Sequence, residues 1–259
     1  MIDLHCHILP DVDDGPREWE ESLQMCEMAF RDGIHTMVAT PHIKPGVYEP
    51  AKKLILSRIK ELNGRIRKTK WATNPTGAVP LTILPGAEVH LHPDIISKID
   101  DVTINPSSGP IRYFFLELPD YFLFSRVKEL IRELRSKNII PILTHPERNL
   151  TIMRNIRLLF EFIKAGVLSQ VTAMSITGEF NREIQKITKK MITSDLVHII
   201  ASDAHSRDRR PPILSRAVKE AAKITGIDRA EKMVRDIPQA VIEGREVVAV
   251  HGSKLEIGN

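Results

Sequence analysis

Seven short apolar runs rich in strand-forming residues recur along this chain, with amphipathic helical patterns between most of them. Strands that alternate with helices form parallel sheets, so this order predicts an α/β fold. If the sheet closes into a barrel, the carboxyl ends of its strands surround one mouth, although the pattern by itself also allows an open doubly wound sheet. The runs span residues 1–7, 35–40, 81–88, 112–117, 139–144, 167–173 and 197–202.

The first crossover, at about residues 16–32, is a clear helical pattern. Pro16 lies near its predicted first turn, and Gly33 ends it. Its apolar positions recur with helical spacing at Trp19, Leu23, Cys26 and Phe30. Two more helical stretches are expected between Gly226 and Gly244. One domain over residues 1–259 accommodates all of these elements, because barrels of this length fold around a single core.

Composition excludes several classes of protein. Hydrophobic residues make up 42% of the chain and charged residues 27%, as in ordinary globular domains. No apolar stretch approaches the roughly 18 residues of a membrane span, and Met1 leads directly into the first strand. We therefore expect a cytoplasmic protein with no membrane insertion. The net charge of +4 is small and spread out, and without a basic stripe or aromatic run it indicates no nucleic acid partner.

Metal-ligating side chains gather where the apolar runs end. The first run alternates, which places Asp3, His5 and His7 on one face, where two imidazoles can bind one divalent ion. Imidazoles and carboxylates without a cysteine cluster suit a catalytic Mn²⁺, Zn²⁺ or Fe²⁺ site. Glu88 and Asp203 are the best candidates to bridge two ions. The further ligand candidates are Asp14, His42, Glu88, Glu117, His145, Asp203 and His205.

Polar residues near these candidates receive other interpretations. Asp3 is expected in a buried or supporting role rather than as a ligand, and helix capping explains at least one of Asp11 and Asp13. His90 and His92 repeat the His-x-His spacing beyond a predicted strand end. We expect His90 at the rim or on the substrate, and His92 in solvent.

Two arginines follow ligand candidates after a short loop, and a planar guanidinium group matches the oxygens of a phosphate. They are Arg148, in the His-Pro-Glu-Arg segment, and Arg210, which follows the Asp-Ala-His triplet. We interpret both as phosphate-binding residues. Arg207 and Arg209 are interpreted as solvated.

Two other phosphatase or nucleotide-hydrolase chemistries are excluded by the residues present. A cysteine phosphatase needs a nucleophilic Cys followed by Arg after five intervening residues, whereas Cys26 reaches Asp32 and lies within a predicted helix. Cys6 and Cys26 both fall on apolar faces and are interpreted as core thiols rather than a disulfide. No Gly-x-x-x-x-Gly-Lys-Ser/Thr loop is present, which excludes a P-loop enzyme.

Five motifs occur in order along the chain: His5-x-His7, Thr40-Pro41-His42, Gly86-x-Glu88, His145-Pro146-Glu147-Arg148 and Ser202-Asp203-Ala204-His205. This series resembles the PHP (polymerase and histidinol phosphatase) superfamily. The run His5–Pro10 leading into Asp13-Asp14-Gly15-Pro16, with Arg210-Pro211-Pro212 near the other end, is similar to the bacterial PHP-type protein tyrosine phosphatases of capsule and exopolysaccharide loci. The match spans residues 1 to about 245.

The resemblance implies a distorted (β/α)7 TIM-like barrel with three divalent ions per chain, most of all Mn²⁺, with Fe²⁺ or Zn²⁺ as alternatives. The first ion would be bound by His5, His7, Glu88 and Asp203. The second would be bound by Glu88, Glu117 and His145. The third would be bound by Asp14, His42 and His205. The same resemblance matches Arg148 and Arg210 to phosphate-binding positions, and it leads us to expect Arg where this chain has His90.

We therefore expect a metal-dependent hydrolase of phosphomonoesters, most of all of protein phosphotyrosine. By resemblance, the partner would be the tail of a bacterial tyrosine kinase in capsule or exopolysaccharide regulation. A phenolate leaving group, with a pKa of ~10, needs less protonation than an alkoxide, so a tyrosine phosphate tolerates the absence of an obvious dedicated acid, and the identity of any general acid stays open. Two alternatives stay open: a small-molecule phosphatase of the histidinol-phosphate type, and a catalytically silent, metal-stabilised module that binds a kinase or polymerase. The oligomeric state stays open as well.

Overall fold

A computed structural model describes residues 1–72, 81–93, 95, 109–122 and 124–247 of the chain. These ranges contain nine strands and ten α-helices. The strands are β1 (Ile2–Cys6), β2 (Thr36–Ala39), β3 (His42–Ile43), β4 (Thr82–Pro85), β5 (Glu88–His90), β6 (Arg112–Glu117), β7 (Ile139–Thr144), β8 (Leu168–Thr172) and β9 (Ile199–Ala201). The helices are α1 (Trp19–Arg31), α2 (Lys52–Ile66), α3 (Phe124–Ser136), α4 (Leu150–Arg154), α5 (Arg157–Lys164), α6 (Ala173–Thr177), α7 (Arg182–Thr193), α8 (Ser215–Thr225), α9 (Ile227–Lys232) and α10 (Asp236–Ile242).

The strands form two parallel sheets, as the alternation with helices predicts. β1, β2 and β4 make the smaller sheet, and the larger one has the order β3-β5-β6-β7-β8-β9. Each strand pair in both sheets is parallel. The chain is thus a single mixed α/β domain, which confirms the predicted fold class at this level.

The seven predicted runs give nine strands because of two interruptions. The run at 35–40 is followed after a short break by β3, and the run at 81–88 divides into β4 and β5. Gly86 lies in the second break, where a Cβ atom would come within 2.5 Å of a Val38 methyl carbon. A residue with a side chain would not fit there, so the break depends on glycine.

The two sheets share one strand register across these breaks. Ala39 lies opposite Pro85 in the smaller sheet, and His42 lies opposite Glu88 in the larger one. In both pairs, the two residues are separated by the same number of positions in the sequence. The β3–β5 pair therefore continues the β2–β4 pair, and the two sheets follow one another without a change of register.

Backbone hydrogen bonds also join the first strand to the segment that follows the last one. Asp203 N donates to His5 O, and His7 N donates to Ala204 O, each at 2.8 Å. Cys6 and Ala204 form a parallel bridge between the same segments. The beginning of the chain and residues 203–204 are thus neighbours at the carboxyl ends of the strands.

Both faces of the central strands are buried, as in a parallel sheet covered by helices. On β6, for example, Tyr113 and Phe115 belong to one apolar cluster, whereas Phe114 and Leu116 belong to another. The larger cluster includes the apolar sides of the helices, and the smaller one takes most of its residues from strands. Polar side chains are left to gather beyond the carboxyl ends of the strands.

β1 does not alternate regularly, so the prediction that Asp3 and His5 share one face is wrong. The register of β1 against β2 shifts within the strand. Leu4 packs in the same cluster as Phe115, and the Phe115 ring centroid also lies 6.4 Å from that of His5. Asp3 is buried, and its carboxylate accepts hydrogen bonds from Ser202 N (2.9 Å) and Ser202 Oγ (2.5 Å). The supporting role expected for Asp3 is confirmed.

The helices follow the predicted pattern with shorter bounds. α1 begins at Trp19, three residues after Pro16, rather than at the predicted residue 16. Two helices, α9 and α10, lie between Gly226 and Gly244 as predicted. None of the described helices combines the length and the apolar content that a membrane span requires.

Asp32, at the carboxyl end of α1, caps a distant helix. Its carboxylate accepts hydrogen bonds from Leu214 N (2.7 Å), Ser215 N (2.9 Å) and Ser215 Oγ (2.5 Å) at the start of α8. The first amide groups of a helix have no partner within the helix, so the carboxylate satisfies them and also ties α1 to α8.

Replacing Asp32 by Ala should lower the free energy of unfolding by about 1–2 kcal/mol, because it removes this cap. Urea unfolding followed by circular dichroism measures the change. Asp208→Ala serves as the control, since the Asp208 side chain is 76% exposed. An Asp32→Ala protein as stable as the control would contradict the capping role.

Candidate metal and phosphate site

All nine predicted metal ligands lie in one connected cluster at the carboxyl ends of the strands. Within the cluster, imidazole nitrogens and carboxylate oxygens approach one another at 2.8–3.9 Å. Strand ends and the loops that follow them therefore bring together residues from the whole length of the chain. The nine residues are His5, His7, Asp14, His42, Glu88, Glu117, His145, Asp203 and His205.

Three groups within the cluster are compact enough to hold an ion, with ligand atoms all within 4.8 Å of one another. They comprise His5, His7 and Glu88; His42, Glu88 and Glu117; and His7, Asp14, His42 and His205. The groups overlap with the three sets that the resemblance implies. They differ in three ways: the first group lacks Asp203, His42 takes the place of His145 in the second, and His7 joins the third. Asp203 Oδ1 lies 3.6 Å from Nε2 of both His5 and His7.

The rings of His5 and His7 are held so that their Nε2 atoms face each other at 3.2 Å. His5 Nδ1 donates to Gln170 Oε1 (2.7 Å), and His7 Nδ1 donates to Asp13 Oδ2 (2.6 Å). Because both partners are acceptors, each Nδ1 carries a proton, so the two facing Nε2 atoms need a proton or a cation between them. A metal ion bound by both Nε2 atoms meets this need, so the pair fits a metal ion.

The surroundings of His7 also favour a positive charge. Burial alone lowers the pKa of an imidazole, but the carboxylates of Asp13 and Glu88 raise the pKa of His7 to about 10. The local field is therefore strongly negative, and a divalent cation satisfies it as a proton does.

Glu88 lies at the centre of the cluster and is completely buried. Its Oε1 is 2.8 Å from His145 Nε2, and its Oε2 is 3.0 Å from His42 Nδ1. Burial raises the pKa of a carboxyl group, yet the charges of His5 and His145 hold the pKa of Glu88 well below its usual range. Glu88 Oε2 and Glu117 Oε2 have no hydrogen-bond donor within the described residues. Buried carboxylate oxygens of this kind are suited to coordinate a cation.

Two cluster residues have a left-handed backbone, which is uncommon outside glycine. His145, directly after β7, has φ 35°, and Asp203, after β9, has φ 51°. The Asp203 backbone N–H is fixed by its hydrogen bond to His5 O (2.8 Å). A left-handed backbone costs free energy in a residue with a side chain, so it persists only where surrounding contacts hold it. Here two of the predicted metal ligands have this conformation.

Arg148 and Arg210 lie beside the cluster, as predicted, and both contact Asp203. Asp203 Oδ2 accepts a short hydrogen bond from Arg148 Nη2, and it lies 2.5 Å from Arg210 Nη2. Burial raises the pKa of a carboxyl group, but Arg148, His5 and Arg210 hold the pKa of Asp203 well below its usual range. The Nε groups of both arginines are buried and have no acceptor within the described residues, whereas the two side chains as a whole are 22% and 23% exposed. Their guanidinium groups therefore remain accessible to an anion beside the cluster.

The residues expected outside the cluster are found there. Arg207 contacts Asp208 (3.1 Å) and Gln24 (2.7 Å), and Arg209 is exposed, so their assignment to the surface is confirmed. His90 is half-buried beside the cluster, with Nδ1 donating to its neighbour's carbonyl at 3.2 Å. His92 is half-buried as well, so the prediction of a solvated side chain is wrong.

Three supporting residues were missed by the sequence analysis. Helix capping was expected of at least one of Asp11 and Asp13, but no side chain caps α1, so that expectation is wrong. The Asp13 carboxylate instead bonds His7 Nδ1 and accepts from His42 N at 2.9 Å. Gln170, on β8, holds His5. Glu147 is buried, and its Oε1 accepts from Thr172 N and Ser175 Oγ at 2.9 and 2.6 Å.

The signals for these residues were weak. Asp13 lies in an acidic turn whose other carboxylates, at Asp11 and Asp14, gave the sequence no means to choose the one that faces His7. Glu147 lies inside the His-Pro-Glu-Arg motif, yet only the structure shows that it fixes this segment to the end of β8. Gln170 lies within a predicted strand and carries no charge that would have singled it out.

Cys6 and Cys26 are fully buried free thiols, which confirms that they belong to the core. Burial raises the pKa of both, and nearby Asp3 raises that of Cys6 further. Cys6 Sγ also donates to Val38 O at 3.3 Å. Neither thiol is positioned or ionised for nucleophilic attack.

Comparisons with known proteins agree with this geometry. The family model of capsular polysaccharide synthesis, CpsB/CapC, matches residues 1–243. The chain is 33% identical over 209 residues to the tyrosine-protein phosphatase YwqE of Bacillus subtilis (strain 168), covering 80% of this chain and 78% of that protein. It is 28% identical over 247 residues to the tyrosine-protein phosphatase CpsB of Streptococcus pneumoniae, covering 93% and 98%.

A solved structure is also similar. It comes from work on YwqE of Bacillus subtilis and CpsB of Streptococcus pneumoniae, described as unique metal-dependent tyrosine phosphatases. It superposes with a TM-score of 0.85 at 29% identity, covering 95% of this chain and 96% of that one. The likeness thus extends over nearly the whole of both chains.

The state of the thiols is testable by alkylation. Because their raised pKa keeps Cys6 and Cys26 protonated near neutral pH, iodoacetamide at pH 8 should label neither in the native protein and both in urea. Mass spectrometry measures the labelling. A protein with both cysteines replaced by Ala should keep its turnover per folded molecule. Rapid labelling of the native protein with parallel loss of turnover would restore a thiol mechanism.

Proposed function

This chain belongs to the CpsB/CapC family of capsular polysaccharide synthesis proteins, and we propose that it hydrolyses phosphotyrosine in proteins with divalent ions bound at the nine-residue cluster. The chain is a metal-dependent tyrosine-protein phosphatase, like the relatives that it matches over most of its length. The observation that carries the mechanism is that two partly exposed arginines stand beside a cluster of imidazoles and carboxylates compact enough to hold metal ions.

We assign the ligands of three ions. His5, His7, Glu88 and Asp203 bind the first. Glu88, Glu117 and His145 bind the second. Asp14, His42 and His205 bind the third. The facing lone pairs of His5 and His7 and the unpartnered oxygens of Glu88 and Glu117 support this assignment. Nitrogen and oxygen ligands of this kind suit Mn²⁺, which we propose as the native ion, with Fe²⁺ or Zn²⁺ as alternatives.

The chain's own residues orient and balance the charge of the substrate. The bound ions supply positive charge that polarises the phosphoryl group and activates water. The guanidinium groups of Arg148 and Arg210 donate to phosphoryl oxygens and offset the charge that develops on them. Asp203 holds both guanidinium groups next to the cluster. Asp13 and Gln170 keep the imidazole rings turned towards the ions. The tyrosine leaves as a phenolate, which needs little protonation.

The substrate that we propose is the phosphorylated tail of a bacterial tyrosine kinase, in the cytoplasm, in the regulation of capsule or exopolysaccharide synthesis. The family description and the names of the matched relatives support this partner. A kinase tail phosphorylated in vitro and then incubated with the protein provides the direct test, by loss of phosphotyrosine signal on a blot.

We also propose that the two sheets close into a distorted (β/α)7 barrel within one domain over residues 1–259. The common register of the two sheets supports closure on one side. The hydrogen bonds between residues 5–7 and 203–204 support closure on the other. A crystal structure with β1 and β9 separated would contradict this architecture.

Removal of metal tests the mechanism. Treatment with EDTA should abolish turnover of a phosphotyrosine peptide, and Mn²⁺ should restore it, with metal content measured on the same preparation. The same-sequence phosphoserine peptide and histidinol phosphate serve as comparison substrates, and both should give a lower kcat/KM. Higher kcat/KM on histidinol phosphate would favour the small-molecule phosphatase, and bound metal without any turnover would favour the silent module.

Replacing Arg148 or Arg210 by Ala should weaken transition-state stabilisation by ~2–4 kcal/mol. For a phosphotyrosine peptide, kcat/KM should therefore fall by roughly one and a half to three orders of magnitude. Metal content should stay the same. Lys should restore only part of the loss, because an ammonium group lacks the planar fork.

Arg207→Ala is the matched control for these variants, since its side chain contacts surface residues. Its kcat/KM should equal that of the unchanged protein. If Arg148→Ala and Arg210→Ala both keep full kcat/KM, the phosphate is held without them and their assignment is wrong.

A further inference from the structure

Phe180 differs from the other phenylalanines of this chain. All eight lie in described parts of the structure, and seven of them pack in one of the two apolar clusters. Phe180 belongs to neither cluster, and it is half-buried. An apolar ring that adds nothing to the core and stays partly exposed at a polar site has no evident role in folding.

The backbone on either side of Phe180 is fixed. α6 ends at Thr177 and is followed by Gly178, whose φ of 88° is the left-handed conformation that glycine adopts readily. Two residues later, Asn181 caps α7 by accepting a hydrogen bond from Ile184 N at 2.8 Å. Phe180 therefore stands between the end of one helix and the start of the next, in a short segment with little freedom to move.

The ring of Phe180 contacts both phosphate-binding arginines. The guanidinium carbon of Arg148 lies 5.3 Å from the ring centroid, and that of Arg210 lies 6.0 Å from it. These are cation–π distances. Both arginines also contact Asp203. The ring and the carboxylate thus hold the two guanidinium groups between them, while their Nε groups stay without acceptors.

A phosphate bound by these two guanidinium groups, whose side chains are 22% and 23% exposed, brings its ester group close to the ring. In phosphotyrosine the ester oxygen is attached directly to a phenyl ring, and two aromatic rings attract each other beyond the area that they bury. In phosphoserine the same oxygen is attached to a short methylene group, which offers no ring to pack. The partly exposed side of Phe180 therefore gives an aryl ester a contact that an alkyl ester lacks.

We propose that Phe180 packs against the phenyl ring of the bound ester and so selects aryl over alkyl phosphomonoesters. This inference rests on the proposed function, because it takes the arginines as the phosphate-binding groups. It assigns Phe180 as a specificity-determining residue that is separate from the ligands and from Asp203.

Phe180→Leu tests the assignment with two peptides of identical sequence, one carrying phosphotyrosine and the other phosphoserine. The variant should lose roughly 3- to 10-fold in kcat/KM on the phosphotyrosine peptide, as expected for an aromatic pair, and keep its kcat/KM on the phosphoserine peptide. Inhibition by inorganic phosphate should be unchanged, because phosphate has no ring. Phe180→Tyr keeps the ring and should keep the preference.

Phe160→Leu is the matched control, since Phe160 is also half-buried but packs against the larger cluster. Its ratio of the two kcat/KM values should equal that of the unchanged protein. Phe180→Met, which removes the ring in a second way, should reproduce the loss seen with Leu and protects the test against a misfolded variant.

Three results would overturn the inference. An equal loss on both peptides would mean that Phe180 only positions the arginines. An unchanged ratio in Phe180→Leu and Phe180→Met would mean that the ring does not meet the substrate. A loss of the preference in Phe180→Tyr would mean that the ring is not what selects. Failure of the unchanged protein to hydrolyse either peptide with metal bound would refute the proposed function itself, which is a separate outcome.

Discussion

Two backbone hydrogen bonds hold the site together, and both cross almost the whole chain. Asp203 N bonds His5 O and His7 N bonds Ala204 O, while Asp3 accepts from Ser202, 199 residues away. They bring the first two imidazoles and the last carboxylate to one place. The entropy cost of closing a loop grows only slowly with its length. Contacts between such distant residues therefore cost little more than contacts between nearer ones once the intervening sheet is formed. The site is therefore complete only when the first and last strands are both in place.

The cluster concentrates negative charge in a buried region, and this explains much of its geometry. A buried carboxylate is costly unless charges or hydrogen bonds compensate it. Asp203 divides its two oxygens, with Oδ1 towards imidazoles and Oδ2 towards Arg148 and Arg210. The arginines thus compensate a buried charge before any substrate arrives. The same arginine side chains compensate Asp203 and lie where phosphate would bind. A variant of either arginine can therefore change the metal cluster as well as phosphate binding, so metal content has to be measured together with activity.

Strand positions and ligand types were predictable from the sequence because both depend on neighbouring residues. Apolar runs indicate the strands, and the residue types at their ends indicate the ligands. Strand ends place side chains at one mouth, and all nine candidate ligands lie in one cluster there. Side-chain partners across distant segments were not predictable. A cap was expected of Asp11 or Asp13 because their turn precedes a helix, whereas Asp13 in fact bonds His7. Asp3 was placed on the face of His5 because regular alternation ignores the shift within β1. Both errors come from local rules applied where tertiary contacts decide the conformation.

A line of contacts runs from the cluster to the substrate side of the site. His5 and His7 face Asp203, Asp203 contacts both arginines, and both arginines contact Phe180. Each step joins groups that attract one another, so the arginines are oriented from two sides at once. Rotating a guanidinium group towards the ring or away from it also changes its contact with Asp203. The ring that we propose to recognise an aromatic ester and the buried carboxylate are therefore linked through the same two side chains.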